Sequence, residues 1–518
     1  MPTLEWIGKD KVVNHHQQVP YRVLEAQYTH NAERSENMII RGDNLEALKS
    51  LLPKYEGKVK CIYIDPPYNT GNEGWVYNDN VNDPRIKKWL GEVVGKEGED
   101  LSRHDKWLCM MYPRLKLLHK LLSDDGVIFI SIDDTEGSYL RLICDEIFKN
   151  FAEAIVWQKR TSPDARKKLS SGHEYVLIYT KNPDQNLGLK LLPLDGKDAE
   201  AYTNPDNDPR GPWISSPFTA PGYRPNQMYS ITTPSGKTVL PPKGRCWCNV
   251  EEVYQRLRSE GRMWFGADGN GVPRRKTYLA EREGRGVWTW WTNAEVGYTQ
   301  IATQELAAIL GKAVFDYPKP VRLISRIIQM ASSDGDIILD SFAGSGTTAH
   351  AVLNMNKEKS TNRKFILVEM DDYADTITAE RVKRVIDGYG SGKNAVPGTG
   401  GDFTFYDLGE MLLLPNGNLN ENVSADKIRE YVYYMETKEA LSEGSNGNPY
   451  FMGASRGAAY YFYYEKEAIT TLDYDFLATI PERADNYIIY ADLCTIPTEE
   501  LAKHSITFKK IPRDIARL

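Results

Sequence analysis

Residues 64–71, "IDPPYNTG", follow directly on the apolar run "VKCIYI" and set an acid, two prolines and an aromatic ring where a strand must stop. Each proline fixes φ and lacks a backbone donor, so the stretch can neither extend a sheet nor begin a helix. Such a turn holds Asp65 and Tyr68 in one geometry at a strand's C-terminal end, the edge at which open α/β sheets bind their ligands. Asp65 offers a carboxylate and Pro66 a carbonyl, two acceptors suited to the hydrogens of a planar amino group. Accepting both hydrogens favours a tetrahedral nitrogen and frees its lone pair for in-line attack. Tyr68 offers a face on which an extruded base stacks, worth about 1–3 kcal/mol.

A second stretch, "DIILDSFAGSGTTAHA" (336–351), reads as a strand, a glycine-rich turn and a helix start. Gly344 and Gly346 allow the backbone to approach a ligand, and the helix N-terminus offers N–H groups. As G-x-G-x-x-A, with Glu369 ending the next strand 23 residues after Gly346, it suits the ribose of a dinucleotide. It equally suits the ribose and amino-acid parts of S-adenosylmethionine. A phosphate-binding P-loop does not fit, because no lysine follows the second glycine. The pairing with "DPPY" favours S-adenosylmethionine, since hydride transfer has no use for Asp-Pro-Pro-aromatic and methylation of an amino nitrogen does. No metal is expected: the sulfonium is already activated, and "CWC" (246–248) lacks a second cysteine pair or a nearby histidine.

These motifs resemble those of the amino-type DNA methyltransferases. "DPPY" at 65–68 is similar to their catalytic motif in its adenine-N6 form, and "FAGSG" at 342–346 to their F-x-G-x-G cofactor motif. The catalytic motif comes first, the order of the β class. "FDYPKPVRLI" (315–324) resembles the segment upstream of the cofactor turn, and "IIRGDNLEAL" (39–48) a strand-end Gly-Asp whose acid reads the cofactor adenine. "DPPYNTGNEGWVYND", "SIDDTEGSYLRLICDEIF", "HEYVLIYTK" and the terminal "ITFKKIPRDIARL" resemble the modification subunits of type III restriction–modification systems. The resemblance implies a site-specific transfer of methyl from S-adenosylmethionine to N6 of an adenine flipped out of double-stranded DNA. Asp65, Pro66, Pro67 and Tyr68 would be catalytic. Asp43, Lys319, Pro320, Asp340, Phe342, Ala343, Gly344, Gly346, Thr347 and Glu369 would hold the cofactor. A homodimer, with a helicase–nuclease restriction subunit as further partner, is implied as well.

The elements that must position these residues follow from periodicity. Strands are expected at 37–43, 59–65, 126–133, 173–181, 336–340 and 364–371, alternating with helices such as "NLEALKSLLPKY" and "KPVRLISRIIQMAS". That alternation predicts a doubly wound α/β fold with a parallel sheet covered on both faces. The first 36 residues read as polar and irregular. Between about 182 and 314 the rhythm breaks into Pro, Gly, Arg and Trp, and six of the eleven tryptophans fall between 213 and 291. The expected domains are 1–182, the first catalytic part; 183–314, a target-recognition insert; 315–395, the second catalytic part; and 396–518, a C-terminal α+β region after the linker "GYGSGKNAVPGTGG".

A net charge of −7 over 518 residues hides an uneven distribution. Residues 157–315 carry 22 Lys and Arg against 16 Asp and Glu, and residues 401–518 carry 11 against 19. The basic middle suits DNA phosphate and the acidic tail does not. Lys159, Arg160, Arg166, Lys167, Lys168 and "PRRK" (273–276) are candidate phosphate contacts, and most tryptophans of the insert are expected in its core. No apolar run reaches the length of a membrane span. The six cysteines lack framework spacing and the N-terminus lacks a secretory h-region, so a cytoplasmic protein is expected. Some residues admit a plain structural role: Asp43 as a helix N-cap, Lys319 at a helix start, and "HEYVLIYTK" as a core strand without catalytic part. Rival functions are methylation of cytosine N4 or of an RNA amino group, and a non-catalytic DNA-binding subunit of a defence complex.

Overall fold

The computed structural model describes residues 3–70, 84–95, 102–183, 189–194, 196–312, 314–441, 447–466, 468–481, 483–512 and 515. Its centre is a ten-stranded sheet of β1 (Arg22–His30), β2 (Met38–Arg41), β3 (Val59–Ile64), β4 (Leu122–Ile132), β5 (Asn150–Gln158), β6 (His173–Thr180), β7 (Trp290–Trp291), β8 (Ile337–Asp340), β9 (Lys364–Glu369) and β10 (Phe403–Met411). The strand order is β1-β10-β2-β9-β8-β3-β4-β6-β5-β7. The run from β10 to β4 is parallel. Both flanks depart from that rule: β1 is antiparallel to β10, and β6 is antiparallel to both β4 and β5.

The central strands are short, apolar and buried, as expected of strands covered on both faces: Cys61, Ile62, Ile64, Ile338, Leu339, Phe365 and Ile366 have no exposed surface. Among the helices, α1 (Asn44–Tyr55) packs on α2 (Arg103–Leu121), α3 (Gly137–Ile147) follows β4, and α4 (Thr299–Leu310) precedes the second half of the sheet. Further on, α5 (Val321–Ala331) packs on α6 (Thr347–Lys359), and α7 (Glu380–Asp387) packs on α4. A capping box starts α2: Ser102 accepts from the Asp105 N–H while Asp105 accepts from the Ser102 N–H.

Two connections fix the position of the site. From β3 the chain crosses through α2 to β4, and from β8 it crosses through α6 to β9, on the opposite side of the β3–β8 pair. Neighbouring strands whose connections diverge leave a crevice beyond their C-terminal ends. Asp65 follows β3 and Asp340 ends β8, so both open onto it.

The structure corrects the reading of the N-terminal 36 residues. β1 lies there, nine residues long, and pairs along its length with β10. Its burial is mixed rather than alternating, so no period marks it in sequence. β10 itself lies between β1 and β2, so Phe403–Met411, within the stretch expected as a C-terminal region, is a strand of the main sheet. Beyond it, a four-stranded sheet (Phe451–Ser455, Ala458–Phe462, Asn486–Ala491, Ile506–Lys510) buries Tyr461 and Tyr490 almost completely.

The chain divides into two compact units, Leu191–Trp288 and the remainder. The smaller unit has a three-stranded sheet (Trp213–Pro217, Arg274–Tyr278, Met263–Trp264) and a helix at Glu251–Ser259, around Phe218, Ile231, Trp247, Tyr254 and Leu257. Of the six tryptophans between 213 and 291, Trp213, Trp247 and Trp291 are buried, whereas Trp288 and Trp290 are exposed. Among the described residues no helix is long and apolar enough to cross a membrane.

Candidate active site

The crevice is a cavity of about 370 Å³ lined from both halves of the larger unit. It brings together Asp65, Pro66 and Tyr68 with Lys319, Asp340, Phe342, Ala343, Gly344 and Thr347. Asp43, Pro67, Pro320, Gly346 and Glu369 are not on its wall.

The turn after β3 is pinned from below. The Trp107 indole Nε1 donates to the Pro67 carbonyl at 2.6 Å. Asn69 takes a left-handed φ of 58°, which asparagine tolerates better than most residues, and its amide donates to Glu136 and to the Arg103 carbonyl. These bonds leave Asp65 and Tyr68 facing the cavity.

Four charges and one phenol then meet in a small volume. Lys319 Nζ donates to Asp65 Oδ2 at 2.6 Å and lies 3.6 Å from Glu174 Oε2. The Tyr68 hydroxyl is 2.9 Å from Asp65 Oδ1 and 3.1 Å from Glu174 Oε2. Lys159 Nζ donates to Glu174 Oε1 at 2.9 Å. Lys319 Nζ also lies over the Tyr68 ring, 5.1 Å from its centroid. Burial pushes the Asp65 carboxyl above the usual carboxylate range, against the pull of Lys319. Burial acts the same way on Glu174, but Lys319 and Lys159 outweigh it and hold that carboxyl below its ordinary value.

The glycine-rich turn is built for close approach. Gly344 and Gly346 have φ of 51° and 79°, and a Cβ on Gly346 would lie 3.1 Å from the Thr378 carbonyl oxygen. Gly346 caps α6 without a side-chain bond, so the first N–H groups of that helix face the turn. Behind it, the buried Arg381 donates to Ser345 Oγ and Thr347 Oγ1. Asp340 accepts from Thr348 Oγ1 and from the Phe342 N–H, and burial pushes its carboxyl up to about 7. Glu369 accepts from the Gly344 N–H at 2.7 Å and from the Asp371 N–H, and burial pushes its carboxyl up to about 8.

Those two carboxylates, a positive-φ glycine turn and a helix start fit S-adenosylmethionine, which carries a sulfonium, an ammonium and a ribose diol. Asp43 caps α1 through the Leu45 and Glu46 N–H groups and pairs with the buried Arg114.

The sequence reading passed over Glu174 by treating "HEYVLIYTK" as core. The signal was an acid inside an apolar strand, which is buried only when paired. Lys159, one of the candidate phosphate contacts, bonds Glu174 within the cavity. Arg166 is engaged by Asp164 two residues away. In "PRRK", Arg274 donates to Ser215, and Lys276 is buried between Asp206 and Asp208. Strand alternation leaves only Arg275 of these three exposed. Tyr317 was not singled out either. It lines the cavity, half-exposed, with φ of 53° directly before Pro318, a conformation disfavoured for an aromatic residue.

Comparison with known proteins agrees with this geometry. The DNA methylase family model of the N6/N4 type matches residues 59–380. The type III restriction-modification enzyme StyLTI Mod subunit of Salmonella typhimurium is 35% identical over 74% of this chain and 62% of its own length. The EcoP15I Mod subunit of Escherichia coli is 32% identical over 71% and 64%. The chain thus spans less than two thirds of the type III relatives it matches. The type II methyltransferase M.KpnI of Klebsiella pneumoniae is 33% identical over 65% of this chain and 81% of its own length. With the glycine-rich turn and the Asp-Pro-Pro-Tyr turn facing each other across one crevice, the chain belongs to the S-adenosylmethionine-dependent amino-type DNA methyltransferases, related to type III modification subunits and to type II methyltransferases.

Proposed function

We propose that this protein methylates N6 of an adenine turned out of double-stranded DNA, as the homodimeric modification component of a restriction–modification system. The observation that carries this reading is the single cavity in which Asp65, Pro66 and Tyr68 face Asp340, Phe342 and Gly344. Bound there, S-adenosylmethionine supplies an activated methyl group on its sulfonium. Asp65 and the Pro66 carbonyl accept the amino hydrogens and turn the nitrogen lone pair toward that methyl. Tyr68 stacks on the base, and a base inside a duplex cannot reach the cavity without extrusion. Asp340 and the Gly344–Gly346 turn hold the donor, and Glu369, behind the cavity wall, fixes that turn through the Gly344 N–H.

The unit Leu191–Trp288 is the segment we assign to target recognition, and the names of the relatives suggest a restriction partner. Single-molecule sequencing of DNA from cells expressing the chain tests the reading: N6-methyladenine in a defined motif is expected. N4-methylcytosine would replace the assigned base, and unmodified DNA would overturn the reading. Light scattering of the purified protein tests the dimer.

A further inference from the structure

Lys319 sits where the target amino group must go. Its ammonium donates to Asp65 Oδ2 at 2.6 Å and lies 5.1 Å from the centre of the Tyr68 ring, so it meets the acceptor and the aromatic face assigned to the base. A base amino group and this ammonium cannot share that seat. The displaced cation needs another anion, because leaving it buried without one costs several kcal/mol.

Glu174 stands ready for it. Its Oε2 is 3.6 Å from Lys319 Nζ, so a shift of about 1 Å along a flexible stem turns this approach into a direct charge-assisted bond. A carboxylate has about four lone-pair sites, enough to take Lys319 while keeping Lys159 and the Tyr68 hydroxyl. Glu174 and Lys319 are both about nine-tenths buried, so neither exchange partner is water-exposed.

We propose that Glu174 is a positioning residue: it receives the Lys319 ammonium from Asp65 when the target base enters, clearing the acceptor for the amino group. The inference rests on the methyltransferase reading and deepens it. Lys319 is a placeholder that keeps the Asp65 carboxylate compensated while no base is bound. Glu174 makes its displacement cheap. The seat then admits a flat ring carrying a hydrogen-bond donor, since only a donor replaces what the ammonium gives Asp65.

The test uses the full chain and a duplex bearing its methylated motif, with 2-aminopurine at the target position to report extrusion by fluorescence. Wild-type methylation of the unmodified duplex is measured alongside, and its absence would overturn both the reading and the placeholder. Glu174→Gln keeps shape and removes the receiving charge. Expected are a loss of extrusion and of kcat/KM on the order of tenfold, the worth of one hydrogen bond to a charged group, with S-adenosylmethionine affinity within about twofold. The double variant Glu174→Gln/Lys319→Met is expected to recover extrusion relative to Glu174→Gln, because the cation that blocks the seat is gone. A structural role for Glu174 would leave the double variant at least as impaired as the single one, and that outcome refutes the proposal. So does Glu174→Gln with wild-type kcat/KM and extrusion. Lys319→Met alone carries the test should Glu174→Gln not fold: extrusion at or above wild type supports the placeholder, and a fall overturns it.

Discussion

Lys319 Nζ and Asp65 Oδ2 lie 2.6 Å apart across 254 positions of sequence. The contact joins the turn after β3 to the segment before α5, and it sets how the site responds to pH. Asp65 must be ionised to accept amino hydrogens. Burial raises its pKa, and Lys319 works against that rise, as do the hydrogen bonds from Lys319 and Tyr68, while the charge on Glu174 adds to it. Activity is therefore expected to fall as pH drops through a value above the ordinary carboxylate range. Lys319→Met removes a lowering influence and moves the acid limb to higher pH. Glu174→Gln removes a raising one and moves it lower. A kcat/KM profile over about pH 4–9 in the three proteins, which reports the groups of the free protein, checks the order. Coincident acid limbs would show that Asp65 does not govern them.

Cofactor binding is expected to release protons. Asp340 and Glu369 are pushed up to about 7 and about 8 by burial, so both are partly protonated near neutrality. A cationic ligand favours their charged forms and lowers both values. Calorimetry at about pH 7.5 in buffers of different ionisation enthalpy reads the release directly, and a buffer-independent heat would refute it. The free protein follows the opposite sign. Both folded values exceed the unfolded ones, so these groups contribute stability below the unfolded carboxylate range. That contribution is lost as pH rises through about 7 to 8. Melting temperatures of the free protein along that range check the sign.

Asp65→Ala deletes the acceptor without touching the glycine turn. On the proposed mechanism kcat falls about 100-fold or more, the scale set by positioned acid–base groups, while S-adenosylmethionine affinity stays near wild type. Filter-binding of the labelled cofactor beside a methylation assay separates the two. Wild-type turnover in this variant would remove Asp65 from the mechanism.

How much of this was legible in sequence varies with the physics behind each element. β3, β8, β9 and the second half of β4 are buried, so each reads as an apolar run, and the proline turn after β3 and the glycine turn after β8 mark where those two stop. Asp65, Tyr68, Asp340 and Gly344 could therefore be placed at strand ends before their meeting was visible. β1 and β5 are partly exposed and irregular in period, so nothing in their spelling announces them. Glu174 and Lys159 were hidden for a different reason. A charge on a strand reads as an outward position until its partners are known, and the partners of Glu174 come from the turn after β3, the residue after β5 and the segment before α5. Lys276 is the same case in the smaller unit: strand alternation turns it inward, and only the distant Asp206 and Asp208 make that tolerable.

Arg275 and Lys276 are adjacent, both basic, and point to opposite faces of one strand, so the two substitutions are expected to fail in opposite ways. The Lys276 side chain is 4% exposed, bonds Asp206 and Asp208, and sits over the Trp213 ring at 4.8 Å. Lys276→Ala leaves Asp208, itself buried, without one of the donors that hold its carboxyl below the usual range; Arg210 and Tyr278 remain. Breaking a buried pair by removing one partner costs roughly 3–5 kcal/mol, enough to unfold a small unit. Urea denaturation followed by tryptophan fluorescence is expected to show an early transition confined to that unit. Arg275 is exposed, and its loss should leave that transition unmoved. If Leu191–Trp288 carries target recognition, Arg275→Ala weakens duplex binding about equally for all sequences and lowers the salt slope of log K by about 1, the mark of one phosphate contact. Fluorescence anisotropy across a salt series on cognate and unrelated duplexes measures both. An unchanged slope would take Arg275 off the DNA face, and a loss confined to the cognate duplex would make it a reader of bases instead.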